Sequence, residues 1–172
     1  MRRKVIIRGP ALSQTGYGEQ CRFALRSLRS RDDLFDLYLL NTPWGNSNQI
    51  TGESEEKSWI DGLISKTITY IDQNKNLNPQ FDMSLQVTIP NEFTPLAPIN
   101  VGYTAGIETT AVAPQWLKIT NDVMSHLIVI SNHSREVFEN TTALISDENG
   151  NHYYLKLDKP CYTVNYPIKP SQ

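Results

Sequence analysis

The chain has 172 residues, 39% hydrophobic and 20% charged, which suits one core-forming globular domain and excludes a low-complexity or disulfide-framework protein. Its net charge of −2 hides a split: residues 1–31 carry eight Arg or Lys against one acid (Glu19), a local +7, and the remainder carries −9. Such a basic end either solvates a helix face or meets an anion such as a phosphate or lipid headgroup.

Lys4-Val5-Ile6-Ile7-Arg8 predicts a buried strand that Gly9-Pro10 ends. A loop closed by Gly16 and Gly18 leads into a helix over 19–31, with Cys21, Ala24, Leu25 and Leu28 on one face and Arg22, Arg26 and Arg29 on another. That order presents free backbone N–H groups at a helix N-terminus, which favours phosphate. The spacing matches neither the dinucleotide G-x-G-x-x-G turn nor a Walker loop, and a ligand-free glycine loop is the alternative. A strand at 34–40 and a loop from Asn41 to Gly52 follow; a helix over 54–73, capped by Thr51 or Ser54, buries Ile60, Leu63, Ile64, Ile68 and Ile71.

Strands are predicted at 83–89, stopped by Pro90, and at 99–104. Pro114 opens a helix through Trp116, Leu117, Thr120 and Val123, and a strand at 126–131 runs into a helix at 132–140. Ala143–Ser146 and His152–Lys156 form a hairpin about Asn149-Gly150, Cys161–Val164 a further strand, and Tyr166–Pro170 an extended exit. The fold class is therefore α/β: a Rossmann-like three-layer sandwich, its mostly parallel sheet covered on both faces, with a C-terminal β-hairpin insertion.

Such sheets bind ligands beyond the carboxyl ends of their strands. Three polar segments stand there. Pro90-Asn91-Glu92 offers a carboxylate for proton or hydroxyl chemistry, and Tyr103-Thr104-Ala105-Gly106-Ile107-Glu108-Thr109-Thr110 offers small residues and, at Glu108, a second carboxylate. Ser131-Asn132-His133-Ser134 opens a helix, where the serines could hold an anion or sugar oxygens or serve as an N-cap. His126, His133 and His152 lack metal-ligand spacing, and no metal or cofactor is expected.

Cys21 and Cys161 imply a reducing compartment. No signal peptide is expected, because Gly9-Pro10 interrupts the first apolar run. The longest such run, Leu34 to Leu40, is broken by Asp36 and too short to span a bilayer, so a cytoplasmic location is expected.

Four segments together resemble the N-terminal domain of family 4-like glycosyltransferases of the GT-B type: Gly16-Tyr17-Gly18, Gln86–Phe93, Tyr103–Thr109 and Val129–Phe138. The resemblance covers about residues 4–140, and the exit at Tyr166–Pro170 resembles the approach to the interdomain linker. It implies a single acceptor-side domain over 1–172, with the donor-binding C-terminal domain absent, belonging to a metal-independent, retaining hexosyltransferase that takes a sugar from a nucleotide-sugar donor. By position it implies that Gly16, Tyr17 and Gly18 face the donor phosphates, that Glu92 and Glu108 are the catalytic candidates, and that Asn91, Thr104, Gly106, Ser131, His133 and Ser134 line the cleft. The histidine usual near the strand end at Glu92 is absent. The acceptor, glycan, lipid-linked or protein, is left open; no nucleic-acid partner is expected, and Arg22, Arg26 and Arg29 could give peripheral membrane contact. The alternatives are a non-catalytic sugar- or phosphate-binding module and a subunit docking on a separate donor-binding protein.

Overall fold

In the computed structural model, residues 1–167 are described. Strand β1 (Arg3–Gly9) leads to helix α1 (Gly16–Arg29), β2 (Phe35–Asn41), α2 (Glu55–Gln73) and β3 (Met83–Val87). A 3₁₀ turn at Pro90–Glu92 precedes β4 (Ile99–Tyr103), α3 (Pro114–Val123), β5 (His126–Val129) and α4 (Asn132–Asn140). Then come β6 (Ala143–Ser146), β7 (His152–Leu155) and β8 (Cys161–Thr163). The main sheet runs β2-β1-β3-β4-β5-β8, six strands all parallel, and β6-β7 form a separate antiparallel hairpin. The expected α/β class, parallel sheet and hairpin are all present. Of the extended exit read at Tyr166–Pro170, the part after Pro167 lies outside the described residues.

Strand alternation assigns the cores. Val5, Ile7, Leu85 and Val87 point to the α1 side, where they meet Cys21, Leu25, Ile60 and Leu63. Leu127 and Val129 point the other way, into a cluster with Leu117, Val137 and Phe138. Ile6 joins Tyr38 and Phe81 on that second side. Phe93 lies against Gly102, whose Cβ, if present, would stand 2.5 Å from the ring.

Three expectations are corrected. Helix α1 begins at Gly16, not residue 19, because the Thr15 hydroxyl accepts a hydrogen bond from the Gly18 N–H (3.2 Å) and caps the helix early. On α2 the inward position is Thr67 (2% exposed) rather than Ile68 (65%). Thr67 Oγ1 donates to the Leu63 carbonyl and accepts from the Leu39 N–H of edge strand β2, an obligation an isoleucine cannot meet. Finally, the sheet is not covered on both faces throughout. Beside α1, an open groove of about 360 Å³ is lined by Phe23, Leu28, Leu85, Tyr103, Ile128 and Val164. The apolar contacts of α3 and α4 lie with the opposite cluster.

Candidate functional site

The chain goes from β1 outward to β2 and returns to place β3 on the other side of β1, so the strand order reverses between β1 and β3. Doubly wound sheets bind ligands at that crevice, beyond the carboxyl ends. Tyr17, in the first turn of α1, reaches across this end of the sheet. Its hydroxyl lies 3.1 Å from Thr104 Oγ1 and accepts from the Ala105 N–H at 3.2 Å. Burial raises its phenol above the usual range; the bonds to Thr104 and Ala105 oppose the rise and the charge of Glu92 adds to it. Thr104 itself is buried, 1% exposed.

Glu92 is exposed, and its carboxylate accepts from the Thr88 hydroxyl. Its backbone carbonyl accepts from the Arg8 guanidinium at 2.9 Å, which holds the 3₁₀ turn against the end of β1. Asn91 beside it is exposed. Thus Gly16-Tyr17-Gly18, Thr104 and Glu92 gather at one place. Glu108 does not join them: it is exposed and lines a separate cavity of about 230 Å³ with Val112 and Trp116.

Ser131 and Ser134 are committed to local structure. Ser131 caps α4, its Oγ accepting from the Ser134 N–H (3.1 Å) and lying 2.9 Å from Ser134 Oγ. Ser134 is fully buried and accepts from the Ile107 N–H at 3.1 Å, so it fastens the loop after β4 to α4. Gly106 lets that loop pass Ile130, whose Cδ1 would be 3.1 Å from a Cβ there. His133 projects as an exposed residue of the first turn.

The glycine loop is also less open than expected. A Cβ on Gly18 would stand 2.0 Å from the Ser13 carbonyl oxygen, so this glycine is required by backbone packing, whereas nothing lies within 4 Å of the Cβ position at Gly16. The arginine stripe is not a free cationic face. Arg22 is 6% exposed and donates to the Ala11 and Ser13 carbonyls at 2.7 and 2.9 Å, fixing the loop before α1. Arg26 pairs with Glu56 and Glu19, and Arg29 lies 4.5 Å over the Trp59 ring. Burial alone would raise the Glu19 carboxyl, but bonds from Arg22 and Arg26 outweigh it and hold the group below its usual range. Arg22 thus offers no free charge to a surface partner.

Three participants were not read from the sequence. Trp44 packs against Tyr17 with ring centroids 4.4 Å apart and the planes tilted by 36°. Gln20, fully buried, donates to the Tyr103 carbonyl (3.4 Å) and accepts from the Tyr166 hydroxyl (2.8 Å). Burial pushes that Tyr166 phenol up to about 12. Arg8 reads from its neighbours only as a strand residue. A polar side chain inside an otherwise apolar helix face, as Gln20 is beside Cys21 and Ala24, is the available signal.

Among the described residues no cluster of three or more His, Cys, Asp or Glu could hold a metal ion, and no helix is long and apolar enough to cross a membrane. No family model, curated protein or solved structure matches the chain.

Proposed function

We propose that this chain is the acceptor-side domain of a cytoplasmic GT-B glycosyltransferase, which transfers a hexose from a nucleotide sugar and retains its configuration without a bound metal. The observation that carries the reading is the convergence of Tyr17, Thr104 and Glu92 at the β1/β3 crevice of a doubly wound sheet. The segments that resemble the family thus adjoin one another beyond the carboxyl ends of the strands, which supports the reading.

In this reading, the open first turn of α1 at Gly16 faces the donor diphosphate, and Glu92 orients or deprotonates the acceptor hydroxyl. Tyr17 ties the two loops together and fixes the cleft floor. Ser131 and Ser134 shape the cleft instead of touching substrate. Stabilisation of the departing nucleoside diphosphate falls mainly to a donor-binding domain, so this chain alone turns over poorly or not at all.

The test is to read the source transcript past codon 172 and assay the product containing this chain for nucleoside diphosphate release from nucleotide sugars. Release that depends on an added acceptor supports the reading. No release from any uridine, guanosine or adenosine diphosphate sugar sinks it.

A further inference from the structure

The segment from Asn41 to Gly52 (N-T-P-W-G-N-S-N-Q-I-T-G) contains no charged residue in a chain that is 20% charged. It follows the carboxyl end of β2 and turns sharply at Trp44–Ser47, where the Ser47 N–H donates to the Trp44 carbonyl (3.1 Å) and Gly45 takes φ +51°. The turn is braced against the loop before α1. Ser47 Oγ lies 2.9 Å from Ser13 Oγ, the Gln14 N–H donates to the Asn48 carbonyl and the Ile50 N–H to the Leu12 carbonyl, both at 2.8 Å.

On this braced turn sits Trp44, partly exposed, with Tyr17 as its ring partner. The chain's other two tryptophans are engaged elsewhere: Trp59 lies beneath Arg29 and Trp116 stacks on Phe138. Asn46, Asn48 and Gln49, all exposed, stand on the same turn and carry amides that both donate and accept. A flat aromatic surface with neutral amides beside it matches a ligand having an apolar C–H face and a rim of hydroxyls. The lack of any cation on the turn speaks against a phosphate there.

We infer that Trp44 is a stacking platform for a neutral pyranose ring, with Asn46 and its neighbours taking the ring hydroxyls. This rests on the transferase reading, of which it would be the acceptor-sugar subsite. Because Trp44 touches Tyr17, an occupied platform lies next to the β1/β3 crevice.

The experiment titrates the full chain with methyl glucopyranoside and methyl mannopyranoside, and with uridine and adenosine as competing stacking ligands, by ligand-observed NMR and tryptophan fluorescence. Saturable glycoside binding is expected, weakened about tenfold or more in Trp44→Ala and largely restored in Trp44→Phe. Asn46→Ala, at an exposed position that leaves the fold intact, is expected to weaken it several-fold. Glycoside binding that survives both Trp44→Ala and Asn46→Ala overturns the platform and leaves the transferase reading standing. Absence of glycoside binding, or binding of nucleosides alone, also overturns the platform. The transferase reading is judged separately, by diphosphate release from the complete product.

Discussion

The Tyr17 hydroxyl lies 3.1 Å from Thr104 Oγ1, joining residues 87 positions apart and bridging the first turn of α1 to the loop that leaves β4. The Ala105 N–H also depends on that hydroxyl. Tyr17→Phe leaves this N–H without its acceptor and should cost about 1–3 kcal/mol, read as a lower urea midpoint with an unchanged slope. An unchanged midpoint would show that water replaces the phenol at no cost.

Gly16 and Gly18 should behave oppositely. Gly18→Ala drives a methyl into the Ser13 carbonyl, a backbone atom that cannot swing away, and should destabilise by more than about 3 kcal/mol or prevent folding. Gly16→Ala meets open space at the start of a helix and should change stability by less than about 1 kcal/mol. Equal effects in denaturant melts would contradict the geometry.

On α2, Thr67→Val removes the acceptor of the Leu39 N–H and should cost about 1–3 kcal/mol. Ile68→Lys, at a site 65% exposed, should fall within about 0.5 kcal/mol of the parent. Thermal melts of the two variants decide the matter, and a larger loss for Ile68→Lys would reverse the assignment of the buried face.

Stability should fall on the alkaline side. Burial pushes the Cys21 thiol from 9.0 to about 12 and the Cys161 thiol from 9.0 to about 11. Folded protein therefore keeps protons that the unfolded chain releases, so the contribution is complete below pH 9 and lost as pH rises through these folded values. Denaturation midpoints measured across that window should decline, and less steeply in Cys21→Ala. A flat profile would refute the burial argument.

Glu92→Gln bears on function. The amide keeps an acceptor for Thr88 but loses the charge and the basicity, so acceptor-dependent transfer by the product containing this chain should drop at least about tenfold. Because Glu92 is exposed, stability should stay within about 0.5 kcal/mol. Full activity in this variant would remove Glu92 from the chemistry.

The architecture was legible because it rests on local signals: the apolar run at Val5–Ile7, the spacing of Cys21, Ala24, Leu25 and Leu28, Pro114 at a helix start, and Asn149-Gly150 between two strands. What escaped depends on partners far along the chain. Arg22 read as one member of a surface stripe, since spacing cannot reveal the Ala11 and Ser13 carbonyls that bury it. Ile68 outranked Thr67 on hydropathy, while the deciding factor was an unpaired N–H on β2. The carboxyl-end location of Glu92, Thr104 and Ser134 followed from topology. Ser134's work as a fastener depends on the Ile107 N–H, a partner in a different loop.

The same α2 contacts have a consequence for self-association. An edge strand offers its outward N–H and C=O groups to any passing chain. On β2, the Leu39 N–H is taken by Thr67, and the Leu37 carbonyl accepts from Lys66 Nζ at 2.8 Å. Two of that rim's backbone groups are thus already taken, one of them by an ammonium group. At the opposite rim, β8 spans only Cys161–Thr163, too few residues to template a long intermolecular ladder. Strand-by-strand growth of the sheet is thus opposed by a helix on one side and by brevity on the other.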